Sequence, residues 1–186
     1  MDEGGHKQIE AVRLVKVAGA PVIRDATDAD AAAVIALIDL CFSAYPGCVM
    51  DLPGLDSDLP QVAAHFARRG GRFWVVENGN PHVGQILACG GVVPASEMGV
   101  AELKRLYVHP TARRRGLARA LVQRIETWAR AQGAERIELW SDTRFREAHA
   151  FYLALGYRRS GRSRRLNDPS DTTEFHFEKW LGSRPR

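Results

Sequence analysis

Cysteine is scarce here and spaced for neither of its usual structural roles. The three present, Cys41, Cys48 and Cys89, form no C-x-x-C pair, which argues against a disulfide framework and against a zinc site. None of the six histidines stands in H-E-x-x-H or beside a cysteine pair, so no metal is expected. No stretch approaches eighteen consecutive apolar residues, which excludes a transmembrane helix. The polar start, Met1 to Lys7, lacks the apolar run and small-residue cleavage site of a secretory signal. The expectation is a cytoplasmic protein with no membrane partner. Internal repeats and low-complexity segments are absent as well.

What is present suits an ordinary globular domain. The 186 residues are 45% hydrophobic, enough for a real core. The net charge is +4, which fits either nucleic acid or a small anionic ligand; the position of the arginines decides between them.

Residues 1–20 show no sustained pattern and read as an N-terminal extension, frayed or forming a short added strand. The domain is expected over 21–182, with a short tail over 183–186. Val22-Ile23-Arg24 reads as a strand, and Thr27 with Asp30 forms a capping-box pattern. Val34, Leu37, Ile38, Cys41 and Phe42 recur at helical spacing until Tyr45-Pro46-Gly47 breaks the run. A second helix is expected over Asp58 to Arg68, stopped by Gly70-Gly71.

Strands follow over Arg72 to Glu77, Val83 to Val93 and Ala101 to Val108, an antiparallel meander. Asn78-Gly79-Asn80-Pro81 supplies its first turn, and Gly90-Gly91 marks a bulge or close approach. The second half changes rhythm. Leu117, Leu121, Val122, Ile125 and Trp128 define a long helix ending near Gly133, and Arg136 to Trp140 is a strand. A helix carrying Ala148, Phe151, Tyr152 and Leu155 closes at Gly156, before strands through Tyr157 and over Thr173 to Lys179. Strand–helix–strand order implies a right-handed parallel crossover joined to the antiparallel part. The class is α/β, with a mixed sheet.

The informative stretch runs from Leu106 to Ala118, LYVHPTARRRGLA. Physically it is a strand, a short basic loop with a glycine, and the start of a long helix. First-turn amides lack intrahelical partners and the macrodipole is positive there, so an anion can sit against them. Gly116 permits close approach, Ala118 keeps the turn small, and Arg113, Arg114 and Arg115 add charge. The pattern reads as a diphosphate cradle. It is neither a Walker A loop nor a G-x-G-x-x-G fingerprint, and physics alone does not name the anion.

The segment resembles motif A of the GNAT acetyltransferases, in which Arg113, Gly116 and Ala118 occupy the Arg/Gln-x-x-Gly-x-Gly/Ala positions, after Val108-x-Pro110. Ala148 to Tyr157, with its Phe151-Tyr152 pair followed by Gly156-Tyr157, resembles motif B. Ile23-Arg24 through Asp30 resembles the family's opening strand and helix, so the likeness spans about Val22 to Trp180. It implies a GNAT-type fold, one central mixed sheet of six to seven strands flanked by about four helices.

The resemblance also implies roles. Amides from Arg113 through Leu117 and Ala118, with Arg119 close by, would hold the pyrophosphate of acetyl-coenzyme A, the co-substrate. Leu106, Tyr107 and Val108 would pair with its pantetheine arm, and an amide there would give oxyanion-type stabilisation at the thioester carbonyl. Tyr152 matches the tyrosine that protonates the departing thiolate, and Glu102 a glutamate that takes the amine's proton through a water; Asp142 is a second candidate base. Phe145 stands where many relatives carry a cofactor-contacting asparagine, with Arg144 as a substitute phosphate contact.

The resulting expectation is acetyl transfer to a primary amine of a small molecule or peptide, with homodimerisation left open. A non-catalytic acyl-coenzyme A sensor is the alternative. Nucleic-acid binding is disfavoured because no exposed aromatics interleave with the arginines. The acceptor pocket is expected between Tyr45–Leu59 and Gly161–Thr172. Asp51, Asp56 and Asp58 in the first would attract a cationic amine, and Arg162, Arg164 and Arg165 in the second an anionic one. The two cues conflict.

Overall fold

Thr27 and Asp30 make the expected local contacts. The Thr27 amide donates to the Asp30 carboxylate at 2.8 Å and its hydroxyl does so at 3.2 Å. Asp30 also receives Arg24 at 2.7 Å, and that hydrogen bond holds its carboxyl below the usual range. One 3-10 turn, Asp28–Asp30, separates the cap from the first helix.

The computed structural model describes residues 19–79 and 85–182; the expected tail, nearly all of the N-terminal extension, and the start of the strand expected from Val83 lie outside them. The elements are β1 (Val22–Asp25), α1 (Ala31–Phe42), α2 (Val62–Arg68), β2 (Arg72–Glu77), β3 (Ile86–Pro94), β4 (Val100–Val108), α3 (Leu117–Ala131), β5 (Arg136–Asp142), α4 (Arg146–Ala154), β6 (Arg158–Arg165) and β7 (Thr173–Trp180). Seven strands form one sheet in the order β1-β2-β3-β4-β5-β7-β6. All pairs are antiparallel except β4 with β5. This is the expected mixed α/β sheet with four helices.

Alternating side chains sort the core onto the two faces of the sheet. Val75 and Cys89 pack with Val34, Ile38 and Phe66 of α1 and α2, whereas Trp74, Val76 and Ala88 pack with Leu121 and Ile125 of α3. Leu121, Ile125 and Ile137 are wholly buried, each stabilising the fold by about 1.5–3 kcal/mol. The Gly90-Gly91 expectation holds in both senses. Register slips between Cys89 and Gly91, and a Cβ on Gly91 would fall 2.5 Å from the Phe66 ring.

Two features position the site. The parallel register of β4 and β5 covers only Val100–Glu102 against Arg136–Glu138, after which the strands part into a V. The last hairpin inserts β7 between β5 and β6. That leaves β6, exposed along its whole length, as one rim of the sheet. Its Arg158 and Arg164 reach Glu178 and Glu174 on β7 at 2.7 and 2.6 Å. Arg159 lies 3.3 Å over the Phe175 ring.

Candidate active site

The loop from β4 into α3 turns on two left-handed residues, Arg114 (φ 64) and Gly116 (φ 81). The amides of Arg114 through Arg119 have no backbone acceptor among the described residues; the first helical bond is Ala120 N–H to the Gly116 carbonyl at 3.0 Å. A Cβ on Gly116 would meet nothing within 4 Å, so glycine serves the dihedral and leaves the approach open. Consecutive free amides beneath a helix dipole, ringed by exposed Arg114, Arg115 and Arg119, are a donor set suited to a diphosphate. The cradle read from the sequence fits that group. Arg113 is set apart, its Nε 3.4 Å from the Val108 carbonyl.

Two cavities open beside the V. The smaller, about 180 Å³, is bounded by Leu106, Tyr107, Val108, Arg113 and Ala118. The larger, about 510 Å³, is floored by Glu102 to Tyr107 of β4 and Trp140 to Asp142 of β5. Its walls come from the α1–α2 loop and the β6–β7 loop, the two segments expected to build the acceptor pocket. Leu106, Tyr107, Phe145, Ala148 and Tyr152 line both. Groups occupying the two cavities would meet at these side chains.

Tyr152 is buried against Phe151, Tyr157 and Phe177, with ring centroids 5.6, 5.7 and 5.9 Å away. Burial pushes its phenol pKa up, so the hydroxyl stays protonated and able to donate. Glu102 borders the larger cavity and carries Lys104 at 3.0 Å. Asp142 is committed elsewhere: Arg144 grips it with Nε at 3.0 Å and Nη2 at 2.6 Å. Arg144 also reaches the Thr172 hydroxyl at 3.2 Å. The candidate second base and the candidate phosphate contact therefore hold each other, while Asp142 still borders the larger cavity.

Most of the charges behind the conflicting acceptor cues are paired in the same way, whereas Asp51 borders the larger cavity and accepts the Leu55 amide at 3.1 Å. Asp56 and Asp58 are buried on Arg105. Arg162, Arg164 and Arg165 pair with Glu138, Glu174 and Asp171. Sequence reasoning missed Arg105 altogether; the Asp56-x-Asp58 pair was its one faint signal. It also missed the stacking of Phe145 on Tyr45 at 4.6 Å and on Phe42 at 6.3 Å, which makes an apolar wall where the two cavities join.

The model of the acetyltransferase (GNAT) family matches residues 34–157. The chain belongs to the GNAT family. Among its relatives, the uncharacterized N-acetyltransferase YjgM of Escherichia coli K12 is 32% identical over 144 residues, 74% of this chain and 81% of that protein. Rat N-acetyltransferase 8F1 is 33% identical over 107 residues, 58% of this chain but 48% of its own length. Human N-acetyltransferase 8 gives 32% over 114 residues, with 59% and 48% covered. The chain thus spans about half the length of these mammalian relatives.

Solved GNAT structures share the fold. A Staphylococcus aureus Mu50 acetyltransferase superposes with a TM-score of 0.74 at 20% identity, covering 88% of this chain and all of that one. The PaiA N-acetyltransferase of Thermoplasma acidophilum, solved with coenzyme A, gives 0.66 at 15% identity, covering 87% and 99%.

Proposed function

We propose that this GNAT protein moves an acetyl group from acetyl-coenzyme A to a primary amine of a small molecule or peptide, by direct attack with both bound. The observation that carries the reading is the meeting of the two cavities at Tyr152, with the free amides of residues 114–119 at the end of the smaller one.

The amides from Arg114 to Arg119 hold the diphosphate, and the neighbouring arginines screen its charge. Beyond Glu102 the β5-facing edge of β4 has no strand partner among the described residues. Leu106, Tyr107 and Val108 there offer backbone groups to the two amides of the pantetheine arm, as a sheet takes an added strand. Acetyl-coenzyme A supplies an activated thioester. An amide of this β4 segment donates to the thioester carbonyl oxygen as charge develops on it. Glu102, beside Lys104, accepts the amine's proton through a water. Tyr152 gives its proton to the sulfur as the C–N bond forms and the C–S bond breaks. A thiolate leaves readily, so this last contribution is modest, about 10- to 100-fold.

The test pairs calorimetry with an activity panel. Coenzyme A is expected to bind with measurable heat, and free thiol to appear when acetyl-coenzyme A is mixed with amines, amino acids, polyamines, amino sugars or short peptides. Absence of heat and of thermal stabilisation removes the cradle. Heat with a flat panel leaves an acyl-coenzyme A sensor in its place.

A further inference from the structure

Arg105 is a non-glycine residue in left-handed backbone, φ 58, where the pairing of β3 and β4 slips. Such a conformation persists only where surrounding contacts over-determine it, and a bulge of this kind re-aims the side chain. The guanidinium points at the α1–α2 loop. Nη1 donates to Asp56 at 2.6 Å, Nε to Asp58 at 3.1 Å, and Nη2 to the Leu55 carbonyl at 2.9 Å and to Asp58. Asp56 and Asp58 are 6% and 8% exposed, so this fork is largely out of water. Asp56 in turn accepts the Asp51 amide at 2.8 Å.

Besides this fork, the loop rests on Met50 and Leu52, partly buried against the α1–α2 side of the core, while Val49 and Leu55 face solvent. Its other end meets the β6–β7 loop, where Ser170 Oγ accepts the Val49 amide at 3.0 Å and donates to the Val49 carbonyl at 3.2 Å. A continuous circuit therefore surrounds the larger cavity: β4, Arg105, residues 49–58, Ser170, β7, and β5 back to β4.

We propose that Arg105 is a positioning residue for the acceptor. Its guanidinium fixes the α1–α2 loop as a wall of the amine-side cavity, so it governs acceptor binding and leaves coenzyme A binding alone. The inference rests on the assignment of the larger cavity to the amine. Lysine cannot replace it, because the fork engages three separate acceptors at fixed angles.

Arg105→Lys tests the fork with charge retained. Alanine would strand two buried carboxylates, so the companion variant is the uncharged triple Arg105→Met, Asp56→Asn, Asp58→Asn. The probe amine is whichever of phenethylamine, 1,5-diaminopentane or an alanine-terminated tetrapeptide the wild type acetylates fastest. In both variants the KM of that amine is expected to rise about tenfold or more, the scale of a slightly misplaced wall. The kcat should change less than about threefold and the coenzyme A Kd less than about twofold, since the guanidinium touches neither the cradle nor Tyr152. An unchanged amine KM in folded variants, or a parallel loss of coenzyme A binding, overturns the proposal. If the wild type acetylates none of the probes, the functional reading is what fails. Amide hydrogen exchange over residues 51–58 then decides: faster exchange in both variants sustains the tether, and equal exchange overturns it.

Discussion

Glu102 and Glu138 are partners across β4 and β5, and they are the last registered pair before the strands diverge. Partners in a parallel pair project to the same face, so two carboxylates stand side by side at the head of the opening. Each is neutralised separately. Lys104 lies 3.0 Å from Glu102. Arg136 and Arg162 lie 3.4 and 3.5 Å from Glu138, which the His176 ring also contacts at 3.0 Å. That division leaves Glu102, of the two, lining the cavity.

Glu102→Gln is therefore expected to lower kcat/KM for amine acetylation by about 10- to 100-fold while coenzyme A binding holds. The deficit should shrink at high pH, where the amine arrives already deprotonated. A rate–pH profile matching the wild type at every point would reduce Glu102 to a charge paired with Lys104.

Tyr152→Phe removes one hydroxyl from a packed aromatic cluster. The expected loss is about 10- to 100-fold in kcat, with the amine KM and coenzyme A Kd within about twofold. Because burial raises the phenol pKa above its ordinary value, the wild type should show no alkaline fall in kcat below about pH 10. Turnover by the phenylalanine variant at the wild-type rate would remove the proton-donor role.

Gly116→Ala forces a side chain into left-handed backbone, φ 81. That costs about 1–2 kcal/mol, recovered only by rotating the amides that follow. Coenzyme A binding is expected to weaken by about tenfold in calorimetry, more than the small loss in Tm accounts for. Undiminished affinity would place the diphosphate elsewhere.

His176 is wholly buried, and burial, aided by the nearby Arg162 charge, lowers its pKa despite the pull of Glu138. The folded value lies below the unfolded one near 6.5, so the folded state favours the neutral ring. Its contribution is complete above about pH 6.5 and is lost as pH falls through the folded value. His149 is shifted the same way by burial. Thermal melts should show a constant Tm from pH 8 to 7, falling below about 6.5. His176→Gln should flatten that limb by about 2–4 °C; an unaltered slope would assign it to other groups.

Local chemistry and the coarse sheet plan, an antiparallel meander joined to a parallel crossover, were legible in the sequence; the order of the last hairpin and the long-range ion pairs were not. The Thr27–Asp30 cap, the bulge at Gly90-Gly91 and the basic loop ending at Gly116 each follow from residues within one or two turns of chain. The insertion of β7 between β5 and β6 does not, because a hairpin's pattern is the same whichever of its strands faces the sheet. Nor do the pairings of Arg105 with Asp56 and Asp58, 49 and 47 positions apart. A lone arginine in a strand reads as a solvated charge, and nothing local announces its left-handed backbone. Arg144 and Asp142 are two residues apart, yet their mutual grip depends on a turn that only the folded chain supplies. Charged side chains were harder to read than glycines for that reason.

The arginine-lined outer strand bears on how copies of the protein behave when crowded. An open strand invites a neighbour's backbone to hydrogen-bond along it, the first step toward sheet-like polymers. Here the guanidinium groups of Arg158 and Arg164 fold back onto Glu178 and Glu174 of β7, and the outer ladder is broken between Arg159 and Ser163, where Gly161 is left-handed (φ 87). A twin approaching along β6 would find a kinked border with no long straight run to pair with. Concentrated solutions should therefore resist edge-to-edge stacking through this border.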